Sequence, residues 1–525
     1  MNKQKRNAYI YATIVALGGF VFGLDAALIS GGFKFITSEF NLNEWEVGAI
    51  GFGPGLGVLI ALPLSAWSSN RYGRKTTLQI IALLYIISAI GSALATSFTT
   101  LLAARFLGGL AFSSITLASM YMGEIAPADQ RGKLVSMLQI NIGIGFSAAY
   151  FINYWILQQM SSDAEWVQVI QLNQTGWRWM LGIEIIPAIL WFLFLFKIPK
   201  SPAWLIYKNR IEEAKKSLLK VYQPEEIESH VLEMKESVAI SNTNRSVGSQ
   251  LSEIFGKPMR VILIIGLTLA IVQQSTGINA IMTYASTMFE QLGLGTDGAF
   301  ASAIWLGVMG LLATIFSLML IDRIGRRPLV IGGLCWIIIS LGMCAYGFNQ
   351  ATYTITEESV AKMGNIPEAE KLQVLIGKEY TSDIEFKEAI KEVIGVAAAR
   401  DNSGSLLKES ARLNVLLILL GILSFVAAFN FSIGPIMWVL FSEIFPIHLR
   451  GIAIPLFALV SSTVSALVQF FFPWQLSNMG ASTIFIFYAF IVCIGLIILY
   501  KFLPETKNMT LEEIHNKLQK KSSKS

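Results

Sequence analysis

The chain has 525 residues, of which 54% are hydrophobic and only 14% charged, with a mean hydropathy of +0.58. Soluble globular proteins are about a quarter charged, so this composition excludes a water-surrounded fold and calls for a bilayer. A net charge of +5 is too small and too spread for nucleic acid, and Cys335, Cys344 and Cys493 lie in apolar runs without the spacing of a disulfide or metal site.

The N-terminus is basic (Lys3, Lys5, Arg6) and leads into an apolar run over 8–29. That run outlasts a signal-peptide core, contains Asp25 and lacks a small-residue cleavage site, so it reads as a retained membrane helix. Runs of spanning length recur at 46–69, 75–95, 99–122, 132–157, 177–197, 260–289, 299–321, 328–348, 413–441, 451–473 and 481–503, which makes helices 1–12 in chain order. A spanning helix needs about 20 mostly apolar residues. Basic residues cluster after helices 2 (Arg71, Arg74, Lys75), 4 (Arg131, Lys133), 8 (Arg323, Arg326, Arg327) and 10 (Arg450), whereas the 158–176 loop has none. The positive-inside rule therefore places these loops and both termini in the cytoplasm.

Two polar stretches interrupt the pattern. Residues 198–258 form a cytoplasmic linker, with an amphipathic helix at 211–216 stabilised by charge pairs. Residues 349–412 lie on the opposite side, with a helix at 383–391, and are expected to be a small cap or a partly ordered excursion. The remaining segments are a first six-helix bundle (1–197), a second (259–503) and a cytoplasmic tail (504–525).

The bundles echo each other. Asn70-Arg71-Tyr72-Gly73-Arg74-Lys75 matches Asp322-Arg323-Ile324-Gly325-Arg326-Arg327, and Glu124-Ile125-Ala126-Pro127 with Arg131-Gly132 matches Glu443-Ile444-Phe445-Pro446 with Arg450-Gly451. The first offset is 252 residues and the second 319, so the second half holds 67 extra residues between its landmarks, close to the length of 349–412. A duplicated six-helix unit interrupted by an insertion predicts an all-α membrane protein of two pseudo-repeated bundles, the architecture of carriers whose halves rock about a central site.

These motifs resemble the sugar porter family of the major facilitator superfamily. Narrower marks are Gly123-Glu124, Gly176-Trp177-Arg178-Trp179-Met180, Gln273-Gln274-Ser275-Thr276-Gly277-Ile278-Asn279, Gly434-Pro435-Ile436-Met437-Trp438, Ser442-Glu443 and Pro504-Glu505-Thr506-Lys507. The resemblance implies a monomeric inner-membrane importer of a monosaccharide or polyol, driven by proton symport, with no other cofactor. It also implies that Gln139 in helix 5 is a sugar ligand. The chain departs from the family at Pro199-Lys200-Ser201-Pro202, where an acidic residue and an arginine are usual, and at Gly310, Ser461 and Ser462, where xylose-type members differ.

Asp25 lies deep in helix 1, where a charge is expensive without a partner. Arg105 in helix 4 is the natural one, and making and breaking that contact changes how readily the carboxylate takes a proton. A purely structural ion pair is the competing reading. Gln273, Gln274 and Asn279 carry amides that both donate and accept, which suits sugar hydroxyls, although such groups can also simply join helices. Trp438 offers a ring face to a pyranose beside a helix break at Gly434-Pro435, and Phe22 and Tyr284 are further pocket candidates. Arg74, Glu124, Arg131, Arg327, Glu443 and Arg450 gather at the cytoplasmic ends as a latch for the outward-facing state; topology alone accounts for the arginines but not for the paired glutamates. A facilitative uniporter and a non-transporting sugar sensor are the alternatives. An enzyme is not expected, since no nucleophile–base set, zinc motif or phosphate loop is present.

Overall fold

The computed structural model describes residues 3–127, 130–241, 247–363, 366, 368–507, 509 and 513; the side chains of 131, 236–241, 247, 258, 447 and 448 lie outside the described set, as does most of the 504–525 tail. Among the described residues twelve helices are long and apolar enough to cross a membrane. In chain order they are helix 1 (Lys3–Glu39), 2 (Glu44–Tyr72), 3 (Arg74–Ala93), 4 (Phe98–Ile125), 5 (Gly132–Met160), 6 (Leu172–Phe194), 7 (Arg260–Thr283), 8 (Gly295–Ile324), 9 (Arg326–Asn349), 10 (Val415–Ile444), 11 (Leu449–Asn478) and 12 (Ala481–Phe502). The protein is thus a multi-pass membrane protein, as its composition demands.

Local chemistry sets the joints. Helix 2 starts at a capping box: the Asn43 side chain accepts from the backbone of Trp45 and Glu46, and Glu46 accepts from the Asn43 N–H. The turns between helices 2 and 3 and between 8 and 9 rest on Gly73 (φ 92°) and Gly325 (φ 100°), a conformation that strains any residue with a Cβ. The repeated glycine of the two basic loops is therefore required by the backbone of each turn.

Helices 1–6 and 7–12 form two halves that meet along helix 2 against 11 and helix 5 against 8. Small residues allow the close approach expected inside membranes. A Cβ on Gly48 would come within 2.2 Å of the Phe470 carbonyl, and one on Gly307 within 2.5 Å of the Ser147 backbone. Within the first half, Gly23 and Gly145 let helices 1 and 5 touch in the same way.

Helices 7 and 10 are broken within their spans. Helix 7 breaks at Gly277 (φ 83°), and helix 10 at Ser432, between Val415–Phe431 and Ile433–Ile444. The helix 10 break thus falls upstream of the expected Gly434-Pro435. Pro435 has no N–H for the Phe431 carbonyl and its ring crowds that turn, so the chain departs from helix one turn earlier.

The linker folds into short helices, of which Pro202–Tyr207, Ile211–Leu218 and Ile227–Ser241 dock on the first half and Val247–Ile254 packs on helix 11 of the second. Trp204, Ala214, Leu218 and Val221 join that half's core. The Trp204 indole donates to the Asn70 carbonyl (3.0 Å) and the Tyr222 hydroxyl to that of Ala126 (3.1 Å).

The insertion is an ordered cap. Its β1 (Thr352–Thr354) pairs antiparallel with β2 (Glu379–Tyr380) and β3 (Ala411–Arg412), so the chain enters and leaves at neighbouring strands. Its longest helix is Asp383–Ile394, and Tyr353, Ile355, Leu372, Phe386, Ile390 and Leu406 build a separate apolar core.

Candidate functional site

Two polar sites lie in different halves. In the first, the Arg105 guanidinium binds one carboxylate oxygen of Asp25 and also donates to the Asp25 carbonyl at 3.2 Å. Both residues are buried. The room for them comes from Gly108, where a Cβ would sit 3.0 Å from the second Asp25 oxygen and 2.7 Å from the Ser88 hydroxyl. That second oxygen has no hydrogen-bond donor among the described residues. Glu184, equally buried, completes the group. It sits at a short interruption of helix 6, between Leu172–Gly182 and Ile185–Phe194, close enough to Asp25 and Arg105 to feel both charges, and one of its carboxyl oxygens likewise has no hydrogen-bond partner among the described residues. The sequence reading missed Glu184, although its signal was the one that exposed Asp25: an acid inside an apolar run.

In the second half, amides form a chain across helices 7, 10 and 11. Gln273 donates to the Gly434 carbonyl (3.0 Å) beside the helix 10 break. Gln274 donates to Gln273 (2.9 Å) and Ser461 (3.2 Å), and Asn279 donates to Gln274 (2.7 Å) and Ser465 (2.7 Å). Gln139 is half-buried on helix 5, with no protein partner for its amide among the described residues. Trp438 is 42% exposed and packs edge-to-face on Phe441. Phe22 packs in the same manner on Phe112.

Tyr284 stands apart from this network. It is fully buried at the insertion end, stacked between Phe33 of helix 1 and Phe472 of helix 11, with its hydroxyl directed at the carbonyls of Val47 (3.3 Å) and Gln469 (3.2 Å). It belongs to a seam joining the halves. Ser30 meets Ser286 (3.3 Å) and Lys34 meets Glu290 (2.9 Å) along the same line.

At the linker end two matching charge pairs each lie within one half. Arg74 binds Glu124 at 2.9 Å, and Glu124 also accepts from Ser201. In the second half it is Arg326, not Arg327, that binds Glu443 (3.0 Å), while Glu443 accepts from Thr506 (2.6 Å). Arg327 donates instead to the Tyr500 carbonyl (3.0 Å). The repeat itself aligns Arg74 with Arg326 and Lys75 with Arg327, and Lys75 likewise reaches carbonyls, those of Phe196 and Ile198 (both 2.8 Å). Arg450 donates to the Phe445 carbonyl (2.9 Å). The Arg131 side chain lies outside the described residues.

Two halves closed at one end, broken helices 7 and 10 and a polar site in each half describe a carrier. The family model for "Sugar (and other) transporter" matches residues 11–367 and 394–518. The chain belongs to this family. It is a sugar transporter and not an enzyme. The glucose transporter GlcP of Staphylococcus epidermidis is 31% identical over 521 residues, covering 99% of each chain. The D-xylose-proton symporter of Escherichia coli K12 is 32% identical, covering 98% of this chain and 96% of that one. The fold is similar to the partially occluded inward-open conformation of the xylose transporter XylE from E. coli, with a TM-score of 0.71, 27% identity and coverage of 96% of this chain and 100% of that one. The family match omits 368–393 of this sugar transporter, the middle of the insertion.

Proposed function

We propose that this sugar transporter imports a monosaccharide or similar polyol together with a proton, by alternating access, as a monomer in the inner membrane with both termini cytoplasmic. The reading rests on the buried group of Asp25, Glu184 and Arg105. Two carboxylates and one guanidinium leave one uncompensated negative charge, so the group is neutral only when it holds one proton. An unbalanced charge in a low-dielectric interior is costly. A passive carrier has little use for such a group, whereas a symporter needs a site whose charge changes once per cycle.

Helices 1 and 7 link this group to the gate. Helix 1 carries Asp25 and, further along, Ser30, Phe33 and Lys34 of the seam. Helix 7 carries Gln273, Gln274 and Asn279 and leads directly to Tyr284. Protonation weakens the hold of Arg105 on helix 1, and sugar hydroxyls compete with the amide chain of helix 7. Each ligand thus loosens one side of the same seam, and the seam opens readily when both are bound. The orientation follows the basic loops, which place the linker end in the cytoplasm and the insertion outside.

The test is uptake of D-glucose, D-xylose or arabinose into proteoliposomes with and without an inward proton gradient. Accumulation above equilibrium only with the gradient is the expected result; equilibration regardless of the gradient is the uniporter's behaviour and overturns the coupling.

A further inference from the structure

A cavity of about 420 Å³ lies directly outside the closed seam. That volume falls within the ~300–1,000 Å³ of small-ligand sites. Its floor includes Tyr284 and Phe472, stacked faces of the gate itself. Its walls are the outer ends of helices 1 and 11 and the segment after helix 7; its roof is the insertion, through Phe386, Ser403 and Leu406 among others. The insertion bridges the halves here: it is continuous with helices 9 and 10, yet Arg400 donates to Asn41 at the end of helix 1 (2.8 Å).

The polar lining is unsaturated. Gln291 is only 8% exposed and lines the cavity, and its amide has no protein partner among the described residues. The same holds for the Thr37, Thr287 and Ser403 hydroxyls. The cations, by contrast, are matched: Lys34 with Glu290 (2.9 Å), Lys387 with Asp383 (2.9 Å), Lys391 with Glu388 (2.7 Å) and Arg400 with Asp401 (2.9 Å). An anionic ligand would have to break those pairs. A neutral polyhydroxylated ligand need not: its hydroxyls suit a free amide and free hydroxyls, and its C–H face suits an aromatic floor.

We propose that this chamber is a second sugar site, in which a sugar molecule waits outside the gate until helix 1 parts from helix 7. The inference rests on the sugar-importer reading but uses residues distinct from the central amide chain. The test is equilibrium dialysis of the purified full-length protein with radiolabelled D-glucose, D-xylose and arabinose in turn. The parent is expected to bind two molecules per chain. Gln291→Leu, and independently Thr287→Val, should bind one and keep counterflow; Gln274→Ala with Asn279→Ala should keep the outer one. Replacing 351–412 by a Gly/Ser linker should remove the outer site alone. One molecule per parent chain, with stoichiometry and affinity unchanged in Gln291→Leu and Thr287→Val, overturns the chamber and leaves the importer reading standing. Loss of nothing in the Gln274/Asn279 variant instead overturns the central site while the Gln291-dependent molecule upholds the chamber. Binding of none of the three sugars overturns both.

Discussion

Asp25 offers one oxygen to Arg105, and its other oxygen, like one of Glu184, has no hydrogen-bond partner among the described residues; in the symport proposed above, the coupling proton binds there. Asp25→Asn supplies a permanent neutral group in its place. Gradient-driven accumulation should disappear, whereas exchange of labelled for unlabelled sugar should persist, because exchange needs only the loaded carrier to flip. Full accumulation by equal amounts of folded Asp25→Asn protein would remove Asp25 from the coupling. Glu184→Gln tests the third member: coupling should be lost here too, with Arg105 still held by Asp25. In the other half, Gln274→Ala and Asn279→Ala each remove one link of the amide chain. A net hydrogen bond is worth ~0.5–1.5 kcal/mol, a few-fold to about tenfold in affinity per contact. Sugar dissociation constants from equilibrium dialysis should rise by that factor in each; unchanged constants in both variants would make helix 7 purely structural. Asp25 and the amides were legible in the sequence because a polar residue in an apolar run stands out by itself. The role of Tyr284 was not, because a tyrosine in such a run is equally at home in a pocket, a core or a seam until its neighbours are known.

Among elements, the two basic loops show how a repeat is used unequally. Arg326 and Arg74 occupy the same place in their halves, each on a glutamate that also accepts a hydroxyl, from Thr506 and Ser201 respectively. Glu505, next to Thr506, accepts the backbone N–H groups of Arg326 and Arg327 at 3.0 and 3.1 Å. Its counterpart next to Ser201 is Lys200, which turns outward to Glu213 (3.5 Å). The start of helix 9 is therefore capped by a carboxylate where that of helix 3 is not, an arrangement that stabilises helix 9 through its N-terminal dipole. Charge-assisted hydrogen bonds are worth about 1.5–3 kcal/mol. Arg326→Ala should accordingly slow transport by about tenfold or more, and Arg327→Ala, whose contacts are a carbonyl and the Tyr500 ring, by much less. Initial uptake rates at matched expression decide it; equal losses would dissolve the distinction. The insertion is a different kind of element. With its own core and paired terminal strands, its replacement by a short linker should leave the twelve helices inserted and folded, checked by monodisperse elution in detergent. Loss of the protein from the membrane despite normal synthesis would show that the cap holds the helices together.

For the molecule as a whole, the seam of Ser30, Phe33 and Lys34 against Ser286, Tyr284 and Glu290 closes the insertion end, while at the linker end the pairs Arg74–Glu124 and Arg326–Glu443 each lie inside one half. Joining Ser30 and Ser286 as a double cysteine variant should trap that state. Their hydroxyl oxygens are 3.3 Å apart. Oxidation should abolish uptake and reduction should restore it, with binding from the linker side retained throughout. Uptake that continues at full rate after complete cross-linking would mean the seam does not have to open.

The amino-acid sequence by itself determined the quantities that are local or additive: twelve spans from the length of apolar runs, the duplication from matched motifs and the insertion from the difference between two offsets. Each depends on what a stretch of chain is, whatever it touches. Only the tertiary structure decided which groups meet. It brought Glu184 of helix 6 to Asp25 and Arg105, set Tyr284 in the seam rather than the amide chain, gave Glu443 to Arg326 instead of Arg327, and roofed the seam with the insertion. Those outcomes depend on the rotation and depth of helices far apart in sequence, and two neighbouring arginines on one helix point about 100° apart, so which one reaches a partner is settled by packing.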